Sequence, residues 1–333
     1  MTLLPARRHL AVLAAGVIMV GLIGVGAIRF EHFATPANLA NLLGDYASVG
    51  IAAVGATFVI VSGGIDLSVG SVVAFTAVAT ASLVGRGWHP LAAGLICLGF
   101  GAGCGAAMGW LIERFELPPF IVTLVGMFAV RAGGFLVGGE SRSIAHPFLE
   151  RVSNGYELPI GAGATIPFRG GLLLLVVALG ILMARSTRFG RHLFAIGGSR
   201  RSAERMGVPM MKTMVALYAL AGGLSAVAGI VFAFSKRAGD PTAAQGLELT
   251  VIASVVIGGS RLSGGIGSVF GTLLGVLILG VIRLLIDFQG NLNSAWTSIA
   301  IGALLLGFVV LQRAIGSLGG RAATAIEGVT SVP

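Results

Sequence analysis

Ten apolar stretches separated by polar segments dominate this chain: 9–28, 46–62, 69–85, 91–112, 120–138, 171–185, 213–235, 247–259, 269–288 and 295–312. A helix crossing the hydrocarbon core of a bilayer needs about 20 apolar residues, and fewer where other protein covers it. Backbone polar groups in lipid must be satisfied within the segment, so such stretches form helices. Only 11% of the 333 residues are charged and the mean hydropathy is +0.96, against about 25% charged residues in a soluble domain. Water-soluble globules, disordered chains and nucleic-acid readers therefore fit poorly. The chain reads as an all-α polytopic membrane protein with about ten transmembrane helices, arranged as one transmembrane domain over 1–333. Stretches 46–62, 171–185 and 247–259 are short, so a count of eight or nine full spans plus re-entrant pieces stays open. Arg7 and Arg8 precede the first stretch as in a signal peptide, but its apolar run of 19 residues is too long for one, and it reads as a span.

Charge distribution gives the orientation. With ten spans and the N-terminus inside, cytoplasmic segments hold 13 of the 22 basic residues, and the opposite side holds seven. Arg131 and Arg283 fall within spans. This bias places both termini in the cytoplasm, and it accounts for most of the net charge of +9. Two hydrophilic segments are long enough for further roles. Residues 139–170 fall outside, as a periplasmic loop with prolines and glycines at turn-like spacing. Residues 186–212 fall inside and hold six of the 13 cytoplasmic basic residues. In that inner loop Ser199 stands as a helix N-cap before a short helical stretch that ends at Met206. The residues leave two readings open: a basic loop that fixes topology, or a docking element for a cytoplasmic partner.

The 53 glycines have two uses. Gly101, Gly105 and Gly109, and again Gly267, Gly271 and Gly275, stand four apart and predict helix packing, because small residues at this spacing let backbones approach in lipid. Elsewhere, GGIDLSVG at 63–70 interrupts two apolar runs with a glycine pair and Asp66, and IGGSRLSGGIGSV at 257–269 offers a candidate second copy. Paired interruptions in the two halves of a transporter point to its path or gate, although matches this short also arise by chance. A buried Asp is costly and so a functional candidate; a helix N-cap or water-facing turn explains Asp66 equally well. Cys97 and Cys104, seven residues apart on one helix, are about 10 Å apart, too far for a disulfide.

Enzyme signatures are missing. The five histidines are scattered over both sides without metal-ligand spacing, and no H-E-x-x-H or G-x-S-x-G occurs. Lys212 and Lys236 are the only lysines and neither follows a glycine, so no P-loop exists in this chain. ATP, if it drives transport here, binds another subunit. Few intramembrane acids are present for ion coupling: Asp66, Asp287 and Glu248, each near a helix end.

Four blocks in order then carry a family resemblance: AVGATFVIVSGGIDLSVGSVVAF (53–75), LPPFIVTLVGMFAVRAG (117–133), TRFGRHLFAIGGSRRSAERMGV (187–208) and GLELTVIASVVIGGSRLSGGIGSVFGTLLGVLILG (246–280). The chain resembles the permease subunits of bacterial ATP-binding-cassette sugar importers of the ribose/galactose class. SRSIAHP (141–147) and DFQGNLNSAWTSIAIG (287–302) are most similar to a galactofuranose importer permease. The resemblance implies a bacterial inner-membrane location, a second permease subunit (identical or different), a cytoplasmic ATP-binding subunit and a periplasmic sugar-binding protein. Lipid surrounds the chain and nucleic acid has no part. This chain carries no cofactor of its own, since ATP and Mg belong to the ATPase. The resemblance also turns the inner loop 186–212 into a coupling loop, with Ser199, Arg200, Arg201, Ser202, Ala203, Glu204, Arg205, Met206, Gly207 and Val208 as the docking helix and its exit. For the sugar path, the polar and aromatic candidates are Asp66, Thr123, Gln245, Asn291, Asn293 and Trp296. Packing and interfacial roles compete for Thr123 and Trp296. A branched-chain amino-acid permease and an ion-coupled carrier stand as alternatives.

Overall fold

The computed structural model describes residues 3–155, 157–161, 164–290, 295–296, 299–307 and 310. Its helices are α1 (Leu3–Arg29), α2 (Pro36–Asp45), α3 (Ala47–Val61), α4 (Val69–Gly85), α5 (Pro90–Arg114), α6 (Pro119–Val137), α7 (Pro147–Gly155), α8 (Phe168–Ser186), α9 (Arg188–Gly198), α10 (Arg200–Arg205), α11 (Met210–Lys236), α12 (Leu247–Ile257) and α13 (Val269–Gln289). Four short strands complete it: β1 (Arg142–Ser143), β2 (Glu157–Gly161), β3 (Ala164–Pro167) and β4 (Ala238–Gly239). β1 pairs with β4 and β2 with β3, both antiparallel. The chain is an all-α polytopic membrane protein.

Among the described residues six helices are long and apolar enough to cross a membrane, or seven if α2 and α3, bent by 57°, form one span. The sequence-based ten therefore divides into full spans and shorter pieces. Stretch 171–185 belongs to a full helix of 19 residues, because α8 begins at Phe168, directly after β3. Stretches 69–85 and 247–259 give helices of only 17 and 11 residues. They stay short because neighbouring helices cover them, so neither has to span lipid alone. The tenth stretch lies partly outside the described residues.

Local sequence sets many of these boundaries. Thr35 caps α2 ahead of Pro36, His89 caps α5 ahead of Pro90, and Ser268 caps α13 by accepting from Gly271 N–H at 3.1 Å. α3 and α4 are buried nearly all round, as helices without a polar face must be. They form the centre with α11, α12 and α13. Outward residues such as Leu95 on α5, Val125 and Phe128 on α6, and Leu175 and Leu179 on α8 make an exposed apolar jacket.

The most extensive helix pairing is α5 with α11. A Cβ at Gly101 would meet the Gly222 carbonyl at 2.5 Å, one at Gly105 would collide with the Tyr218 carbonyl, and one at Gly109 would lie 2.7 Å from the Met214 carbonyl. Gly271 and Gly275 bring α13 equally close to α12, against Gly258 and Ser254. Gly267 differs from its sequence reading. It precedes α13 and packs on the Val61 side chain, because the helix starts only at the Ser268 cap.

The segment 139–170 is more ordered than a plain loop. It contains β1, α7 and the β2–β3 hairpin, and β1 ties it to β4 just after α11.

Candidate functional site

Two features draw together most of the sequence candidates: the α9–α10 unit, and the breaks at 62–68 and 258–268. Thr187 caps α9 by accepting from Gly190 N–H at 3.1 Å, and Gly190, Leu193 and Ile196 form its buried stripe. Ser199 is extended and caps α10, accepting from Ser202 N–H at 3.3 Å. The helix closes by a paired reverse bond: Gly207 N–H donates to Glu204 O at 2.9 Å and Val208 N–H to Ala203 O at 3.1 Å. Gly207 takes φ +80, a conformation that suits glycine. Ala203 is fully buried against Ile196, Val208 and Met210. Arg201, Ser202, Glu204, Arg205 and Met206 are left on the exposed face.

Arg200 is exposed as well, but it is tied to another helix. Although its side chain is 44% exposed, the guanidinium reaches both Glu113 carboxylate oxygens at 2.8 Å, and Glu113 at the end of α5 is only 8% exposed. Sequence reading placed Arg200 in the docking helix without a partner for it. A contact between positions 87 apart leaves no local signal. Arg200→Ala, which strands the buried carboxylate, is expected to destabilise by about 1–3 kcal/mol. Glu113→Gln, which leaves a half-exposed cation able to hydrate, is expected to cost about 1 kcal/mol or less. Thermal midpoints of the two variants and their double mutant in detergent check this. Strictly additive effects would show that the pair is not coupled.

The two breaks are closed alike. After α3, Gly63 N–H donates to Ile60 O (2.9 Å) and Gly64 N–H to Val59 O (3.0 Å), with Gly63 at φ +87. After α12, Gly259 N–H donates to Val256 O (2.9 Å) and Ser260 N–H to Val255 O (3.1 Å), with Gly259 at φ +91. The same helix-ending motif thus serves both halves. Structurally Gly63 matches Gly259, one position away from the glycine-pair alignment of the sequences. Gly265 N–H donates to Val61 O at 2.8 Å and joins the breaks directly.

Asp66 and Thr123 come together at the first break and face inward. Asp66 is 4% exposed, and one carboxylate oxygen accepts from Ser68 N–H at 2.8 Å and from the Ser68 hydroxyl at 2.6 Å, bracing the start of α4. Thr123, fully buried near the start of α6, accepts from Leu67 N–H at 3.2 Å, with Pro119 O and Ile65 O at 3.0 and 3.2 Å from its hydroxyl. Gln245 stands elsewhere and is exposed. Its segment is a turn, exposed at Thr242, Gln245 and Gly246, that also lies along α4. Gly239 lies against Ala77 and Ala81, and the chain then runs along α4 until the Ala244 carbonyl and the Glu248 carboxylate crowd Gly70. That is a descent of roughly 10 Å along the helix. Arg131 of α6 donates to Ala243 O at 3.2 Å, fixing this segment, and one Glu248 oxygen is buried with no hydrogen-bond partner among the described residues. Arg131 and Glu248 therefore join Gln245 as polar groups at the depth of helices. The signal for both was their charge inside apolar stretches. Trp296 is half exposed, and Asn291 and Asn293 lie outside the described residues.

Among the described residues no three His, Cys, Asp or Glu side chains gather as a metal site. Among the described residues the geometry is that of closely packed helices, two glycine-closed breaks and a short capped helix.

Comparison with known proteins agrees with this architecture. The family described as branched-chain amino acid transport system / permease component matches residues 38–309. The inner membrane ABC transporter permease protein YjfF of Escherichia coli is 48% identical over 86% of this chain and 87% of its own. The fructose import permease protein FruG of Bifidobacterium longum is 37% identical over 94% of both chains. The ribose import permease protein RbsC of Bacillus subtilis is 36% identical over 88% of this chain and 89% of its own. No solved structure matches. A family match covering most of the chain, joined by relatives aligned over most of their own lengths, shows that this chain belongs to the family of ABC transporter permease components.

Proposed function

We propose that this permease forms the path by which a bacterial ABC importer carries a monosaccharide across the inner membrane. The observation that carries the reading is the near end-to-end alignment with fructose and ribose import permeases. The amino-acid alternative rests on the family's general description and has no such support among these relatives. A galactofuranose-type substrate is the finer reading, from the resemblance at 141–147 and 287–302.

In this reading α9 and α10 face the cytoplasm, and a separate ATP-binding subunit, which holds ATP and Mg, grips Arg201, Glu204, Arg205 and Met206. A periplasmic binding protein delivers sugar to the side formed by residues 139–170, and a second permease subunit completes the path. Gln245 and Trp296, both exposed, offer hydroxyl-bonding and stacking groups to a sugar. Asp66 and Thr123, both buried, act by fixing the start of α4.

The test is reconstitution in proteoliposomes with the cognate ATPase and binding protein. Labelled monosaccharide is expected to accumulate only when ATP and both partners are present. Accumulation by this chain alone under an ion gradient would establish a secondary carrier instead, and uptake of leucine in place of sugar would establish the amino-acid reading.

A further inference from the structure

Gly197 is the second-to-last residue of α9 and stands two positions before the Ser199 cap of α10. A Cβ there would collide with the Val61 carbonyl oxygen, and would stand 2.5 Å from Gly265 N and 2.9 Å from the Val61 carbonyl carbon. Val61 ends α3, and its carbonyl is the acceptor for Gly265 N–H. At the second break, a Cβ on Gly264 would lie 2.9 Å from Gly63 Cα and N and 3.1 Å from Gly197 Cα. One on Gly265 would lie 3.2 Å from Gly197 O and Gly198 Cα. Gly63, Gly264 and Gly265 have φ of +87, +83 and +76, which other residues adopt only with strain. Three segments distant in sequence therefore meet here backbone to backbone.

From this we infer that Gly197 is a positioning residue that transmits displacement of the docking helix to both broken helices at once. The argument is mechanical. Side chains between two elements change rotamer and absorb small shifts, whereas close-packed backbone has no such freedom. α9 continues directly into α10, so a pull on α10 acts at Gly197 on Val61 and Gly265 together. The Val61–Gly265 bond makes the two breaks respond as one body. The second attachment of α10, from Arg200 to Glu113, leads to α5 and through its glycine seam to α11. Movement at the docking helix thus has two outlets: one to the breaks and one to the α5–α11 pair.

This inference rests on the ATPase-driven reading proposed above, and the experiment separates the two. Wild type, Gly197→Ala and Gly198→Ala are assembled with the ATPase and binding protein, and ATP hydrolysis and sugar import are measured in the same proteoliposomes. Gly198 is the control because a Cβ there meets nothing within 4 Å. Gly197→Ala is expected to keep ATP hydrolysis while import per ATP falls by about tenfold or more; Gly198→Ala is expected to match wild type. Unchanged import per ATP in Gly197→Ala overturns the inference alone. Absence of ATP-driven import in wild type overturns the proposed function and this inference with it.

Should Gly197→Ala fail to assemble, spin labels decide the matter. They are placed on cysteines at Arg191 and Arg261, with Cys97 and Cys104 replaced by alanine. Their separation is expected to stay constant between nucleotide-free and ATP-bound complexes, because α9 and the second break move together. A change of about 5 Å, one helical turn, would show that they move apart and would overturn the inference.

Discussion

Leucine at position 105 is expected to break the membrane fold of this permease, while leucine at 103, two residues along the same helix, leaves it intact. The Cβ alone at Gly105 collides with the Tyr218 carbonyl, stands 2.7 Å from the carbonyl carbon and 3.2 Å from Ala219 Cα. Gly103 is exposed and has nothing within 4 Å. Ordinary overpacking costs about 1–3 kcal/mol because neighbouring side chains shift. Here the obstacle is the backbone of α11, so the whole helix must retreat, and Gly101, Gly109 and Gly222 lose their contacts in the same step. The expected cost exceeds about 3 kcal/mol. It is read as a fall in thermal midpoint and in the monodisperse fraction after detergent extraction. Equal melting of the two variants would show that the seam contributes nothing.

The second large effect is on assembly, with the fold intact. Replacing Arg201, Glu204, Arg205 and Met206 together by alanine is expected to lower affinity for the ATPase subunit by about 100-fold or more. Two such contacts at about 1.4 kcal/mol each already give that factor. These side chains are exposed and none is part of the α10 cap, the buried Ala203 contact or the Glu113 pair. The variant should therefore melt with wild type. Undiminished co-purification of the ATPase would move the docking surface elsewhere. Replacing the whole Arg200–Arg205 helix would confuse two effects, because it also severs α10 from α5.

Hydropathy made the membrane class readable, along with the approximate positions of the long apolar helices, because long apolar runs have few other destinations; α2, α7 and α9 fell outside those runs. Turn and cap chemistry was readable too: Ser199 begins α10, and the glycine pairs end α3 and α12. Depth was not. Whether an apolar run spans alone or lies covered depends on its neighbours: α4, with 17 residues, is buried nearly all round, whereas α8, with 19, leaves Leu175 and Leu179 exposed. Nor could sequence show that 240–246 runs along α4; the Arg131 bond to Ala243 that holds it there spans 112 positions. Asp66 was visible as an exceptional charge, yet only the geometry shows its carboxylate turned onto Ser68. Gly267 shared the four-residue spacing of packing glycines while serving the break that precedes the helix. Spacing reports a pattern, and the partner decides its use.

The Arg200–Glu113 pair makes the inner loop non-portable. A chimera that receives residues 186–212 from a relative without an arginine at position 200 loses the counter-charge of Glu113 at the end of α5, far away in the sequence. Grafting such a loop alone would leave a buried carboxylate without its counter-charge. The transferable cassette is the loop together with position 113.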